Sequence, residues 1–163
     1  MAAPLPEVTL REVTDADLPV IYAQMKEPEG VRMAAFTARD PSDRAAFDAH
    51  WQRIRHDPRV TVRAVVDAQG EVLGHVGVFG PPEEREVTYW IGRRHWGRGV
   101  ATAALRSLLA ATPDRPLHAR VVADNAASLR VLTRCGFRTV STEHSYAPAR
   151  DADVAEHLLT LPA

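Results

Sequence analysis

The stretch Arg94-His95-Trp96-Gly97-Arg98-Gly99-Val100-Ala101 predicts the turn around which the fold is organised. An aromatic and β-branched strand leads into it and a helix of small residues leaves it. Gly97 and Gly99 have no Cβ, so the main chain can adopt unusual dihedral angles and approach a bound group closely. The first amides of a helix lack intrahelical acceptors and carry partial positive charge, and Arg94 and Arg98 add guanidinium donors. The stretch is therefore predicted to bind an anion such as a pyrophosphate.

The segments on either side of this turn predict a mixed sheet. Upstream, the pattern predicts a strand at 8–13, a helix from the Thr14 or Asp15 cap to Pro28, an irregular segment at 27–39, and a helix that starts after the cap Asp40 and runs towards Asp57. The other predicted elements are a hairpin of strands at 60–67 and 71–79, strands at 86–91, 117–122, 137–143 and 153–161, and helices at 100–111 and 126–135. This order predicts an α/β chain, with helices on the faces of a mixed sheet, that forms one domain over residues 1–163.

Composition limits the classes of partner. The chain has 163 residues, of which 45% are hydrophobic and 25% charged, and its formal net charge is −1. Because it has no basic excess, we expect neither a nucleic-acid partner nor a membrane partner. The single cysteine excludes an internal disulfide, and the seven histidines show no metal-binding spacing, so no metal is expected. The absence of a signal-like N-terminus and of a long apolar run favours a cytoplasmic location.

Two motifs carry a resemblance to a known family. The pattern Arg94-x-x-Gly97-x-Gly99-Val100-Ala101 resembles the acetyl-CoA motif of the GCN5-related N-acetyltransferases (GNAT), which reads Arg/Gln-x-x-Gly-x-Gly/Ala. Residues 125–137, with Asn125 at the head of a helix and Gly136-Phe137 at its end, resemble the second signature of that family. The predicted order of elements is also similar to the GNAT order over nearly the whole chain. Within the family, Tyr89-Trp90-Ile91 before the glycine turn is most similar to the ribosomal-protein N-terminal-alanine acetyltransferases of the Rim type.

The resemblance implies a fold and a co-substrate. The fold is a central, mostly antiparallel sheet in which the parallel strands 86–91 and 117–122 splay apart to admit a thioester. The co-substrate is acetyl-CoA, with its pyrophosphate on the turn and its pantetheine arm along the strand edge at 90–92. The residues implied to bind it are Trp90, Ile91, Gly92, Arg94, His95, Trp96, Gly97, Arg98, Gly99, Val100, Ala101, Asn125 and Ser128.

Acetyl transfer to an amine requires a base, because an ammonium group has no lone pair and a free alkylamine has a pKa near ~10. Glu86 is the candidate, since it matches a Glu of the Rim-type pattern and lies at the start of a central strand. Burial there is expected to raise its pKa. The alternative interpretation is a solvated carboxylate in the run 83–86, because exposure is the usual state of glutamate.

The leaving thiolate requires a proton or a hydrogen bond. Many GNAT members use a Tyr seven residues after the motif Asn, and this chain has Leu132 there. Candidate substitutes are Ser128 and Cys135 on the same helix, and Tyr146 in the predicted loop before the last strand. Cys135 is more often a packing residue at such a position. A thiolate with a pKa near ~8.5 also leaves without a dedicated acid.

The acceptor is expected to bind against residues 27–39, His50-Trp51 and residues 143–150. The predicted reaction is direct attack by a primary amine, of a protein N-terminus or a small molecule, on acetyl-CoA in a ternary complex. The alternative is a catalytically idle acetyl-CoA-binding module with a regulatory role, and a homodimer is left open. His75 is expected to be a packing residue, with a place in the cleft as the alternative.

Overall fold

The computed structural model describes residues 4–37 and 40–163. In chain order the strands and helices are β1 (Thr9–Glu12), α1 (Leu18–Met25), α2 (Pro28–Ala34), α3 (Arg44–His56), β2 (Thr61–Val66), β3 (Val72–Phe79), β4 (Glu86–Ile91), α4 (Val100–Ala111), β5 (Leu117–Val122), α5 (Ala126–Arg134), β6 (Arg138–Ala147) and β7 (Ala152–Leu161). Among these residues no helix is both long enough and apolar enough to cross a membrane.

The strands form one seven-stranded sheet in the order β1-β2-β3-β4-β5-β7-β6. The β4–β5 pair is parallel, and the other neighbours are antiparallel. β4 and β5 are in register at Glu86 and His118, where the His118 amide donates to the Arg85 carbonyl at 2.8 Å. Within the described chain no further register pair joins these two strands, so they separate towards their carboxyl ends. The predicted fold class, a mixed sheet with one splayed parallel pair and flanking helices, is confirmed.

Alternation along the strands produces two apolar layers. The larger layer lies on the face covered by α4 and α5, and includes Val76, Val87, Leu105, Leu132, Phe137 and Leu159. The smaller lies under α1 and α3, and includes Ile21, Trp51, Val62 and Ala64. On β4 the odd-numbered residues therefore face α4 and α5, whereas Glu86, Thr88 and Trp90 face α1 to α3.

The prediction of an irregular segment at 27–39 is wrong, because residues 28–34 form α2. Glu27 caps this helix: its carboxylate accepts hydrogen bonds from the amides of Glu29 at 3.1 Å and Gly30 at 2.7 Å. Pro28 occupies the first turn, where its missing amide costs nothing. Glutamate is not among the preferred capping residues, so the local pattern did not reveal this helix start.

The predicted start of α3 is also wrong. Asp43 caps the helix by accepting from the Ala46 amide at 3.0 Å, whereas Asp40 accepts from the Ser42 amide and hydroxyl within a preceding turn. At the other end of the chain, β6 extends to Ala147, so Tyr146 lies in a strand rather than in a loop. β6 is an edge strand whose side chains are mostly exposed, and its polar sequence lacks the alternation that marks a half-buried strand.

Candidate active site

The glycine turn after β4 has the geometry of an anion cradle. Gly97 and Gly99 adopt φ of +77° and +80°, the left-handed region that favours glycine. The first helical hydrogen bond of α4 is donated by the Ala103 amide to the Gly99 carbonyl at 3.0 Å. The amides of Val100 and Ala101 precede that bond and have no intrahelical acceptor. A Cβ built on Gly97 would meet no described atom within 4 Å, so open space lies above the turn. The main chain thus fits a pyrophosphate.

The side chains of the turn are placed differently from its main chain. Arg94 is 83% exposed and lies 3.7 Å from a carboxylate oxygen of Glu71 in the β2–β3 turn. The buried His95 ring has its Nε2 3.8 Å from the same oxygen. Trp96 donates from Nε1 to the Ile91 carbonyl at 2.9 Å. An anion on the turn would therefore meet main-chain amides first, with the exposed Arg98 beside them.

The strand edge that faces the gap is formed by alternate residues of β4. The Gly92 amide donates to the Leu73 carbonyl at 2.8 Å, so the main-chain groups of Gly92 and Trp90 face β3. Those of Tyr89 and Ile91 face β5, from which β4 has separated. The Trp90 side chain donates from Nε1 to the Gln24 carbonyl at 3.1 Å. Trp90 thus joins α1 to the sheet, and the unpaired edge belongs to its two neighbours.

A cleft of about 720 Å³ passes through the sheet at this gap. It is lined by four successive residues of β5, Ala119 to Val122, which alternate between the two faces. On the α5 side its walls include Asn125, Ser128 and Leu132. On the α1–α3 side they include Phe36, Phe47, His50, Trp51, Glu86, Trp90 and Glu156. One cleft therefore joins the space beside α5 to the space beneath α2 and α3.

Glu86 lies in this cleft, with 23% of its side chain exposed. Burial raises its pKa, the nearby Arg120 lowers it, and the charge of Glu156 raises it, with a net upward shift. The Arg120 guanidinium is 3.9 Å from Glu86, 3.3 Å from Glu143 and 3.5 Å from Glu156. It is therefore shared among three carboxylates. Glu86 is neither a fully solvated strand-end residue nor firmly paired, which suits a group that exchanges protons.

On the opposite wall, α5 begins beside the gap. Asn125 caps the helix, since its Oδ1 accepts from the Ser128 amide at 3.1 Å. Ser128 Oγ lies 2.5 Å from the phenolic oxygen of Tyr89, which reaches α5 from β4. Burial raises the pKa of Tyr89 to about 12, partly offset by the bond to Ser128. Leu132, at the position of the usual GNAT tyrosine, is buried in the larger apolar layer.

A family model described as an acetyltransferase (GNAT) domain matches residues 7–138. The chain belongs to this family. The predicted class of enzyme, an acetyl-CoA-dependent N-acetyltransferase, is confirmed at that level. A search of curated proteins finds no significant match.

Solved structures with the same fold include two bound to the implied co-substrate or its product. A phosphinothricin acetyltransferase from Sinorhizobium meliloti, in complex with AcCoA, superposes with a TM-score of 0.81 at 18% identity, over 95% of this chain and 88% of that one. A spermidine N-acetyltransferase from Vibrio cholerae, in complex with CoA and spermine, gives 0.79 at 19% identity, over 94% and 95%. A GCN5-related N-acetyltransferase from Kribbella flavida gives 0.77 at 22% identity, over 96% and 98%.

The structure separates the predicted GNAT site residues into two groups. Glu86, Asn125 and Ser128 line the cleft, and the glycine turn lies between the carboxyl end of β4 and the start of α4. Tyr146 does not line the cleft: it is 55% exposed and donates to Asp151 at 2.5 Å.

Cys135 is half-buried, does not line the cleft, and has its pKa raised by burial. His75 is buried edge-on against Trp51, with ring centroids 4.9 Å apart, and burial lowers its pKa to about 4. It is a neutral packing residue. Of the acceptor segments, residues 143–150 do not line the cleft, and Glu156 of β7 does so instead. Sequence reasoning did not assign Tyr89 a role, although alternation along β4 already placed it on the α5 face.

Proposed function

We propose that the chain transfers an acetyl group from acetyl-CoA to a primary amine by direct attack in a ternary complex. The observation that carries this proposal is the single cleft through the β4–β5 gap. It connects the side of the sheet that carries Ser128 with the side that carries Glu86. Two substrates that enter from opposite faces would meet between the strands, where proximity and orientation supply much of the rate.

The residues around the gap fit acetyl-CoA. The main chain of residues 94–101 would hold the pyrophosphate. The main-chain groups of Tyr89 and the amide of Ile91 would pair with the pantetheine arm, since the Ile91 carbonyl already accepts from Trp96. Asn125 and Ser128 would contact that arm from α5. Acetyl-CoA supplies the activated acetyl thioester when bound.

Glu86 would act as the general base. A primary ammonium group must lose a proton before it attacks, and a carboxylate with a raised pKa accepts that proton more readily than a solvated one. Ser128 Oγ would donate a hydrogen bond to the sulfur, in place of the usual tyrosine. Its position on the cleft wall opposite Glu86 supports this division of roles.

The charges of the described cleft favour a cationic acceptor. Its walls carry the carboxylates of Asp40, Asp43, Glu86 and Glu156 against the guanidinium groups of Arg53 and Arg120. Arg120 is already shared among three carboxylates, so it is a poor partner for the carboxylate of an amino acid. The four carboxylates also outnumber the two guanidinium groups, so we expect amines without a neighbouring carboxylate to be preferred. A protein N-terminus and a small monoamine both satisfy this condition.

The Rim-type subgroup, the cytoplasmic location and the possibility of a homodimer stay predictions from the sequence. The phosphinothricin and spermidine acetyltransferases that superpose on this chain add no support for the Rim type.

The test is amine-dependent CoA release with a panel that pairs each amine with its carboxylated counterpart, such as phenethylamine with phenylalanine. Peptides with a free N-terminal alanine and polyamines complete the panel. Turnover of at least one uncarboxylated amine, faster than its counterpart, is the expected result. Acetyl-CoA binding by calorimetry without transfer to any amine would favour the idle module. No binding at all would overturn both functions.

A further inference from the structure

Tyr89 occupies a position that the proposed chemistry does not yet use. Its side chain projects from β4 towards α5 and crosses the gap at which β4 and β5 separate. Its phenolic oxygen lies 2.5 Å from Ser128 Oγ and 3.3 Å from the Ser128 carbonyl. The other two tyrosines, Tyr22 and Tyr146, bond to groups outside the cleft.

We propose that Tyr89 is a positioning residue that donates its phenolic proton to Ser128 Oγ and so directs the Ser128 proton towards the sulfur of CoA. This rests on the proposed function, which brings the sulfur into the gap. A serine hydroxyl has one proton and rotates freely about its C–O bond. When a donor binds one lone pair of the serine oxygen, the single proton of that hydroxyl points away from the donor and can reach another acceptor.

Two observations support this direction of the hydrogen bond. The phenolic oxygen of Tyr89 lies closer to Ser128 Oγ than to the Ser128 carbonyl, and either hydroxyl can donate in the closer contact. We take Tyr89 as the donor because a phenol is a stronger acid than an aliphatic hydroxyl. A buried phenol with a pKa of about 12 also stays protonated across the working pH range. Neither hydroxyl gives up its proton: each donates a hydrogen bond, and the CoA thiolate that leaves takes its proton from water.

The position of Leu132 explains why this arrangement is needed. The residue lies one helical turn beyond Ser128 on the same wall of the cleft, and it is an apolar group packed in the core. α5 therefore supplies one hydroxyl, that of Ser128, to the described wall of the gap. The second hydroxyl arrives from β4, and it holds the first in a fixed orientation.

The experiment measures the thiol pKa of bound CoA from the ultraviolet absorbance of the thiolate, which needs no acceptor amine. A free thiol has a pKa near ~8.5, and a hydrogen bond from an oriented hydroxyl should lower it by about one unit. We expect Tyr89→Phe and Ser128→Ala each to remove this lowering. The double variant should remove no more than either single one, because the two hydroxyls act as one unit.

Tyr22→Phe is the matched control, because Tyr22 also loses a phenolic hydrogen bond, donated at 2.6 Å to the Ser42 carbonyl. It should leave the thiol pKa of bound CoA unchanged. With an active amine, Tyr89→Phe should lower kcat at least tenfold and leave the KM for acetyl-CoA unchanged, whereas lost packing would raise the KM.

The outcomes separate the two proposals. If the thiol pKa of bound CoA is the same in the wild type and in Tyr89→Phe, the role of Tyr89 is overturned. The acetyltransferase proposal is then unaffected. If Tyr22→Phe raises the thiol pKa of bound CoA as much as Tyr89→Phe does, the role of Tyr89 is overturned as well. If Tyr89→Phe fails to fold, Ser128→Ala decides, and an unchanged thiol pKa in that variant overturns the inference. A wild-type protein that does not bind CoA overturns both proposals.

Discussion

Replacement of Arg120 by glutamine tests whether Glu86 is the base. The guanidinium Nε lies 3.9 Å from Glu86, and the charge of Arg120 opposes the rise that burial causes in the Glu86 pKa. Without this charge the carboxylate is less stable relative to the protonated form, so its pKa rises further. A general base works only when deprotonated. Activity should therefore be lost at a higher pH in Arg120→Gln than in the wild type as the pH is lowered.

The size of the shift follows from the geometry. Two unit charges 3.9 Å apart interact by about 4 kcal/mol at an effective dielectric constant of ~20. Arg120 is 46% exposed, and solvent screening leaves about 1 kcal/mol of this, or roughly 0.7 of a pKa unit. Glu156 already raises the Glu86 pKa in the wild type, so it does not add to the shift caused by the substitution. We expect the acid limb of kcat to move up by about one pH unit, with the plateau at higher pH retained.

The assay is kcat against pH with one amine, so that ionisation of the acceptor is the same for every variant. Arg134→Gln removes an exposed arginine that does not line the cleft and should leave the limb in place. Glu86→Gln should lower kcat by about 10²- to 10⁴-fold, whereas Glu83→Gln, an exposed neighbour, should not. If the acid limb of the kcat profile of Arg120→Gln stays in place or moves to lower pH, the assignment of Glu86 as the general base is refuted.

Three further predictions test the cradle and the core. Gly97→Glu should weaken acetyl-CoA binding in calorimetry by on the order of 100-fold, because it places a carboxylate at the anion site; Gly70→Glu, at a similar φ of +80° with open space around it, should not. Asp17→Asn removes a carboxylate whose pKa Arg11 lowers, so the free energy of unfolding should fall by about 1–3 kcal/mol at neutral pH in urea titrations. That deficit should vanish as the pH falls through the lowered pKa of Asp17, where the wild type loses the same contribution. Leu105→Ala should cost about 2–5 kcal/mol in the same titrations, and a cost below 1 kcal/mol would contradict its place in the core.

The elements around the glycine turn were predictable from sequence. The observed bounds of β4, α4 and β5 coincide with the predicted ones. Each of these segments carries strong local signals: aromatic and β-branched residues in β4, Gly99 before α4, and Pro113 after it. Local chemistry and tertiary structure agree there, so the anion cradle and the family motif were visible without coordinates.

The parts that were not predictable depend on contacts between distant segments. α2 is capped by Glu27, whose carboxylate is held at 2.8 Å by Arg93, 66 residues further along the chain. Glu156 and Arg120 enter the electrostatics of Glu86 because β5 and β7 are neighbours in the sheet, which no local pattern encodes. The partnership of Tyr89 with Ser128 likewise requires the gap to place β4 opposite α5.

The separation of β4 from β5 leaves main-chain groups of β4 without hydrogen-bond partners on the neighbouring strand. Surrounding residues pair with some of these groups without closing the gap. Buried main-chain groups need hydrogen-bond partners, and Trp96 satisfies the Ile91 carbonyl from its indole at 2.9 Å. The amides of Tyr89 and Ile91 still face the gap between β4 and β5, whereas the Gly92 amide is held by Leu73 on the β3 side.

A continuous β4–β5 ladder would satisfy these amides, but it would also block the passage that joins the two faces of the sheet. The unpaired edge is therefore expected where a ligand supplies the missing acceptors. Saturating acetyl-CoA should slow hydrogen exchange at Tyr89 and Ile91 by more than at Gly92, measured residue by residue by NMR. Equal slowing at all three amides would indicate general stabilisation by the ligand and would contradict pairing along this edge.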